Sequence, residues 1–239
     1  MRPALSILPL SVLAAIIALA LAGCGSSPSA IATVAGQTVD RETLEHWVPI
    51  EAAIDHGILP QAPLPKGEVP DPPHYSACIH YLEHKARTTP SHPPVPSRSA
   101  LLRQCRTRYE GVREHMLQIL ITFAWVIAET KALNLHVSDH EAAKEFARYK
   151  KEVFKTEKAF RNYLRYTGET LADELLISKM DLLSTKLQSK IVAERGINGA
   201  RRYYADFPKR WAAKTSCKPG FVVPQCRQYK GTTEPEAIF

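Results

Sequence analysis

Apolar side chains recur at spacings of three and four residues over most of this chain, a pattern that predicts amphipathic helices. The longest such segment runs from Ser97 or Ser99 to Asn134. Between Met116 and Ala128 it is apolar nearly all round, and 13 residues are too few to cross a bilayer. We therefore expect a central helix that is buried on all sides.

The chain before this helix has the pattern of a hairpin followed by a capped helix. Ala32 to Val34 and Thr38 to Val39 are short apolar runs on either side of a glycine turn. Asp40 is a good N-cap for a helix from Arg41 to about His56, which Pro49 is expected to kink or divide. A strand–turn–strand unit should therefore lead directly into the first helix.

The chain after Asn134 contains four further helical patterns with recognisable ends. Their predicted ranges are 138–153, 157–166, 170–196 and 198 to about 214. Ser138 with Glu141 and Thr170 with Asp173 have the spacing of capping boxes, and Gly168 is suited to end the second of these helices. The fold is predicted to be mainly α.

Residues 59–96 interrupt this pattern with ten of the chain's 18 prolines. Proline fixes φ and removes an N–H donor, so regular structure is nearly excluded apart from one or two helical turns around Ser76 to Lys85. We interpret the segment as an insertion held to the body by a disulfide between Cys78 and Cys105. A proline-rich binding motif is the alternative.

The first residues have the pattern of an export signal. A basic Arg2 precedes the apolar run Leu5 to Leu21, so residues 1–23 are predicted to be a signal peptide. The run ends in Leu-Ala-Gly-Cys, which resembles a bacterial lipobox in which Cys24 is lipidated; a plain signal peptide with a free Cys24 is the alternative. Residues 24–30 would then form a flexible tether on the outer face of the cell membrane.

The remaining four cysteines suggest disulfides, since an even number is typical of proteins outside the cytoplasm. Proximity in sequence favours pairing Cys78 with Cys105 and Cys217 with Cys226, which would close the tail 215–239 on itself. A metal site is the alternative, with Cys78, His80 and His84 as three of its ligands. No fourth ligand is evident nearby, so we expect no metal.

Motifs of known enzyme classes are missing from the sequence. It has no G-x-S-x-G, H-E-x-x-H, P-loop or GxGxxG pattern, and its nine histidines are scattered. We therefore expect no catalytic residues and no cofactor. The net charge of +7 falls by one when Arg2 is removed, and export argues against a nucleic-acid partner.

Aromatic side chains are frequent on the predicted helices. Most should be core, yet several could line a cleft for extended apolar peptides, because aromatic rings make adaptable contacts. The candidate cleft residues are Trp47, Phe123, Trp125, Phe146, Tyr149, Phe160, Tyr163 and Tyr204.

The stretch "IATVAGQTVDRETLEHW" from Ile31 to Trp47 resembles the start of the chaperone module of SurA- and PrsA-type foldases. The long apolar helix, "KALNLHVSDHEAAKEF", "FKTEKAFRNYLRYTGET" and "LLISKMDLLSTKL" follow in the family's order. The chain departs from the family pattern at Ala35, where Asn is customary, and at Asn134, where Gly is usual. The resemblance covers about Ile31 to Phe207.

The resemblance implies a helical domain of the SurA N-terminal or trigger-factor-like kind with a short N-terminal β-hairpin. We expect this domain to span residues 31–214, and the following "CKPGFVVPQC" has the pattern of a small turn or hairpin closed by its own disulfide. The resemblance also implies unfolded or nascent exported polypeptides as partners. A parvulin isomerase domain often follows in the family, but only 32 residues remain after Phe207, too few for one. We therefore expect a lipid-anchored chaperone without isomerase activity. The alternatives are a PrsA-type peptidyl-prolyl isomerase and an envelope-assembly lipoprotein with one dedicated partner.

Overall fold

The computed structural model describes residues 29–54, 62–90 and 94–237. The predicted signal peptide and the lipidation site Cys24 lie outside these residues, as does most of the predicted tether. In chain order the elements are β1 (Ala30–Val34), β2 (Gln37–Asp40), α1 (Arg41–Ile54), α2 (Ser76–Thr88), α3 (Arg98–Ala132), α4 (Asp139–Val153), α5 (Glu157–Thr167), α6 (Leu171–Ala212) and β3 (Thr215–Cys217). The prediction of a mainly α fold with an N-terminal hairpin is confirmed.

A small antiparallel sheet joins the two ends of the described chain. β1 pairs with β2 across a two-residue turn, and β3 pairs with the other edge of β1, giving the order β2-β1-β3. The sequence did not predict β3, because a strand of three residues is too short to show an alternating pattern. The last residue assigned to the tether, Ala30, is the first residue of β1.

The hairpin turn contains an unfavourable residue. Ala35 and Gly36 both have positive φ, 46° and 88°, as a type I′ turn requires. A left-handed conformation costs an alanine about 1 kcal/mol because Cβ approaches the following carbonyl oxygen, whereas Asn tolerates it. Ala35 is therefore a strained position in an otherwise regular hairpin.

We expect Ala35→Asn to raise the free energy of unfolding by about 0.5–1 kcal/mol, since Asn-Gly is the preferred type I′ pair. Urea unfolding followed by circular dichroism measures the change. Ala193→Asn is the matched control: Ala193 is exposed within α6, where Asn has lower helix propensity and should destabilise by about 0.6 kcal/mol. An Ala35 variant that loses stability would contradict the strained turn.

The long helix α3 is the centre of the fold, as its apolar pattern predicted. Ser97 caps it, because its Oγ accepts a hydrogen bond from the Ala100 amide at 3.3 Å. Trp125 on α3 is fully buried, and its indole N–H donates to Thr215 Oγ1 at 2.7 Å. β1, β2, α1 and α6 pack around α3 to form the main hydrophobic core.

Pro49 lies inside α1, which continues through it as one helix and is not divided. The missing N–H and the ring are tolerated there, while the neighbouring Trp47, Val48 and Ile50 are buried in the main core. Burial of the surrounding side chains therefore outweighs the local preference of the proline.

α6 consists of two helical segments that meet at Gly196. This residue has φ 65° and ψ 173°, outside the helical region, so the segments 171–195 and 197–212 are named here the first and second segments of α6. The boundary agrees with the two helices predicted on either side of Gly196. Thr170 and Asp173 form the predicted capping box at the start of the first segment, and Ser138 and Glu141 form that of α4.

The proline-rich insertion is more regular than predicted, because it contains the 13-residue helix α2. The carboxylate of Asp71 accepts hydrogen bonds from the amides of Ala77 and Cys78 at 3.0 and 2.9 Å. Burial acts to raise the pKa of Asp71, but these amide hydrogen bonds outweigh it and hold the pKa below its usual value. Asp71 thus performs at the start of α2 the function of an N-cap.

Both disulfides have the connectivity that sequence proximity favoured. Cys78–Cys105 attaches α2 to α3, and Cys217–Cys226 closes the tail next to β3. Their sequence separations of 27 and 9 residues correspond to about 3.5 and 2.5 kcal/mol of stabilisation on the loop-entropy model. Because Cys78 is in a disulfide, its thiolate is not free to bind a metal with His80 and His84.

Among the helices of the described ranges, none combines the length and the hydropathy that crossing a bilayer requires. This includes α3, whose apolar section Met116 to Ala128 is mostly buried inside the protein instead, with Phe123 half-buried.

Candidate functional site

A large cleft lies between α3, the two segments of α6 and the C-terminal residues 235–237. Its volume is about 820 Å³, within the range of sites that bind drug-sized molecules or short peptides. The break at Gly196 separates the two segments of α6, so that residues of both contribute to its walls.

The walls of this cleft combine apolar and polar side chains. Phe123, Met180, Tyr204 and Pro208 provide apolar surface. Most polar residues belong to the first segment of α6, namely Asp181, Ser184, Thr185 and Gln188, and Glu236 adds one from the C-terminal segment. Hydroxyl and amide groups in such positions can form hydrogen bonds with a polypeptide backbone, because they both donate and accept.

One wall of the cleft is made by the chain's own C-terminal segment, Pro235 to Ala237. This segment has no regular secondary structure, and Ala237 packs against the main core. Gln225, which is 1% exposed, holds it through a hydrogen bond from Nε2 to the Glu236 carbonyl at 3.1 Å. A stretch of non-helical backbone therefore already lies against this surface.

The structure brings two of the eight candidate aromatic residues into the cleft, Phe123 and Tyr204. Trp47 and Trp125 lie in the main core instead, where 8% and 0% of their surface is exposed. Helical periodicity identifies these rings as apolar-face residues but does not indicate which faces lack a packing neighbour.

The other four candidates form a separate aromatic cluster between α4 and α5. Phe146, Phe160 and Tyr163 are buried and pack with Phe154, and Tyr149 is half-buried at its edge. The ring centroids of Phe154 and Phe160 are 5.2 Å apart with nearly perpendicular planes, a favourable edge-to-face contact. This cluster fixes α5 on α4 and is a small core of its own.

Sequence reasoning missed several cleft residues. Met180 is buried in a cluster with Val126 and Leu183 as well as lining the cleft. Pro208 lies within a predicted helix, where proline is unusual. Its presence was the one signal in the sequence that this helix face differs from an ordinary packed face. Pro235 and Ala237 belong to no periodic pattern, so their position in the cleft wall could not be predicted.

A second missed feature is a group of three buried acids at the start of α6. Glu169, Asp173 and Glu174 are only 4%, 8% and 3% exposed. One carboxylate oxygen of Glu169 and one of Glu174 have no hydrogen-bond partner among the described residues. The capping-box spacing accounts for Asp173, but no sequence pattern indicates that Glu169 and Glu174 are buried beside it.

The three acids differ in their pKa values. Burial raises the pKa of Glu174 to about 7, and the negative charges of Glu169 and Asp173 add to this. Burial also raises the pKa of Glu169, against hydrogen bonds from Tyr163 and Thr167. For Asp173 burial acts in the same direction, but hydrogen bonds from Thr170 and His46 outweigh it, so its pKa is lowered.

His46 is the one candidate for acid–base chemistry near this group. Its Nε2 lies 2.9 Å from Asp173 Oδ1, and the same carboxylate caps α6 through Thr170. A histidine oriented by an aspartate needs a nucleophile or a substrate within reach to act as a base. No hydrogen bond joins His46 to a Ser, Thr or Cys side chain within the described ranges, so the pair links α1 to α6.

Metal binding finds no support in the part of the chain that the structure describes. Those residues contain no group of three or more His, Cys, Asp or Glu side chains placed to hold an ion. The buried acids at the start of α6 are therefore a carboxylate cluster without metal-ligand geometry.

A comparison with known proteins gives no match: no family model, no curated protein and no solved structure is significantly similar to this chain. The resemblance to SurA- and PrsA-type foldases thus stays a prediction from the quoted motifs. The cleft and its residues have to be interpreted from their own chemistry.

Proposed function

We propose that the protein is an extracytoplasmic, chaperone-like lipoprotein that binds extended apolar segments of unfolded or newly exported polypeptides. The observation that carries this proposal is the cleft between α3 and α6, with Phe123 and Tyr204 in its walls. The chain's own segment 235–237 lies against the same surface, which supports a polypeptide as the occupant.

Binding in this cleft would depend mainly on burial of apolar side chains. Each Å² of apolar surface removed from water contributes about 25 cal/mol, with little dependence on direction. Ser184, Thr185 and Gln188 can satisfy backbone groups of the bound segment without reading its side chains. Such a site binds apolar segments of unfolded polypeptides and tolerates many different sequences in them.

Location outside the cytoplasm is supported by the two disulfides, since thiols are kept reduced inside most cells. The export-signal pattern of residues 1–23 and the lipobox-like Cys24 point the same way and suggest a lipid anchor in the cell membrane. Clients would then be held close to the site at which they emerge.

The family resemblance from Ile31 to Phe207 supports the same class of function. No isomerase step is part of the proposal: X-Pro isomerisation faces a barrier of about 20 kcal/mol, and an apolar cleft by itself has no evident means of lowering it.

The test is the binding of a fluorescently labelled apolar peptide and the suppression of aggregation of a reduced, unfolded client protein. Thr185→Trp places a bulky exposed side chain in the cleft and should weaken peptide binding at least about tenfold. A Phe123→Ala/Tyr204→Ala double variant should do the same, since buried aromatic contacts each contribute about 1–2 kcal/mol.

The matched control is Tyr166→Ala, a half-buried tyrosine on α5 outside the cleft, which should bind as the wild type does. Near-ultraviolet circular dichroism establishes that each variant is folded. Equal binding by the Thr185→Trp protein would contradict the cleft as the binding site. Capture of one stoichiometric envelope partner, with no binding of unrelated peptides, would replace the chaperone with an assembly lipoprotein.

A further inference from the structure

Three arginines surround a second surface pocket, on the second segment of α6 next to the break at Gly196. Its volume is about 610 Å³. Its walls are formed by Arg195, Gly199, Arg202, Tyr203, Asp206 and Arg210. None of these residues lines the large cleft, so a loss of binding at one site can be distinguished from a loss of binding at the other.

The pocket brings together positive charges that are mostly uncompensated. Arg195 and Arg202 make no ion pair within the described ranges, and Asp206, the one acid of the pocket, makes none there either. Arg210 is partly neutralised, because its Nη1 lies 3.7 Å from Glu129 Oε1. Three guanidinium groups and the Asp206 carboxylate line the pocket, and the pairing of Arg210 with Glu129 leaves an excess of one positive charge around a concave surface.

The floor of the pocket is rigid. Tyr203 is 8% exposed, and its hydroxyl donates a hydrogen bond to Glu129 Oε1. The same carboxylate accepts a hydrogen bond from Trp211 Nε1 at 2.8 Å. The Tyr203 ring is therefore fixed from below by α3 and by the following turn of α6.

This fixed ring positions two of the guanidinium groups. The Cζ atoms of Arg195 and Arg210 lie 4.9 and 4.7 Å from the centroid of the Tyr203 ring. Cation–π contacts of this kind hold an arginine in place and leave its N–H groups free to donate to an anion. The side chains are thus partly organised before any ligand binds.

Gly199 allows the Arg195 side chain to approach the ring of Tyr203. A Cβ atom at position 199 would lie 2.6 Å from the Cβ of Arg195, closer than real contacts allow. Any larger residue would push Arg195 away from the ring of Tyr203. The glycine is therefore part of the pocket although it carries no functional group.

We propose that this pocket binds a phosphate group that belongs to a larger molecule, either a phospholipid headgroup or a soluble phosphoester. Planar guanidinium groups match the oxygen pairs of a phosphate, and several of them can share its oxygens. A volume of about 610 Å³ exceeds what inorganic phosphate fills and leaves room for an attached ester group.

Titration calorimetry with pyrophosphate, and sedimentation with vesicles of phosphatidylglycerol and phosphatidylcholine, test this site. Arg195→Gln combined with Arg202→Gln should weaken binding at least about tenfold, because each exposed side chain loses a charged donor. Asp206→Asn should strengthen binding, since it removes the one negative charge in the pocket. Gly199→Ala should weaken it while leaving every charge in place.

Arg201→Gln is the matched control, an exposed arginine in the same helix that does not line the pocket. Binding to phosphatidylglycerol vesicles that requires Arg202 assigns a lipid headgroup, and binding to pyrophosphate without binding to vesicles assigns a soluble phosphoester. A loss in the Arg201→Gln protein as large as that in the Arg195→Gln/Arg202→Gln double variant would mean a diffuse basic surface and would overturn the proposal. Absence of saturable binding to either probe would do the same.

Discussion

At pH 8 the Glu174→Gln variant should be more stable than the wild-type protein by about 2–3 kcal/mol, although the substitution changes a single non-hydrogen atom. Glu174 is 3% exposed and makes no side-chain hydrogen bond in the part of the chain that the structure describes. Glu169 and Asp173 add two further acidic groups close by. An ionised carboxylate in this position loses its hydration without receiving a counter-charge.

The pH dependence has a definite sign. The pKa of Glu174 is raised from an ordinary 4.5 to about 7 in the folded protein, so folding favours the protonated acid. Well below pH 4.5 the acid is protonated in both the folded and the unfolded chain, so it does not lower the free energy of unfolding. As the pH rises from 4.5 to 7, the unfolded chain ionises first and stability falls. The full loss is about 3 kcal/mol above pH 7.

The start of a helix favours negative charge by about 0.3–1 kcal/mol, which would lower the pKa of Glu174. Burial acts in the opposite direction and is the larger effect here. Tyr149 and Tyr163 from α4 and α5 also face the acids, and burial, followed by the negative charges of Glu169 and Glu174, raises the pKa of both hydroxyls. Burial and the two acidic neighbours of Glu174 therefore outweigh the helix start and favour its neutral form.

Urea unfolding of both proteins at pH 4.5, 6 and 8 measures this difference, with the wild type as the reference at each pH. The gap should widen from near zero at pH 4.5 to its full value at pH 8. Glu194→Gln is the control, because Glu194 lies exposed in α6 beside Lys190 and should change stability by less than about 0.5 kcal/mol. A gap that stays constant with pH would show that Glu174 does not titrate in this range.

The second large effect is expected at Glu129, where Glu129→Ala should lower the free energy of unfolding by about 3–4 kcal/mol. Its carboxylate is 9% exposed and accepts hydrogen bonds from the Tyr203 hydroxyl and the Trp211 indole. Arg210 lies beside the same oxygen atoms. Alanine would leave two buried donors without a partner and Arg210 without its counter-charge.

Glu129→Gln separates these contributions. Its amide oxygen can still accept one hydrogen bond, but its NH₂ group cannot accept the other, so a smaller loss of about 1–2 kcal/mol is expected. Thermal unfolding ranks the two variants. Glu114→Ala on the exposed side of α3 serves as the control and should be nearly neutral. If both Glu129 variants unfold like the Glu114 control, the carboxylate does not connect α3 to α6.

The helices could be predicted from the sequence because their signals are local. Capping boxes at Ser138 and Thr170 and stops at Gly168 and Gly196 depend only on neighbouring residues, and all four are present. Asn134, where the resemblance expects Gly, has φ 53° at the end of α3, a conformation that Asn tolerates. Local backbone preference was thus sufficient for nearly every boundary.

The site could not be predicted to the same extent, because it depends on which helix faces remain without a neighbour. Phe123 and Trp125 are two residues apart on α3, yet one lines the cleft and the other is fully buried. Gln225 and Pro235 acquire their roles only through contacts with distant parts of the chain. Periodicity contains no information about such contacts.

The pairing of β1 with β3 has a consequence for the order in which this protein can fold. Ala32 is opposite Cys217 in the sheet, so the first strand of the domain finds one of its two partners only after most of the chain has been made. A two-stranded hairpin is marginally stable by itself, and contacts between distant segments form slowly. The helices can form early from local interactions, whereas the domain is completed last, when its C-terminal strand reaches β1.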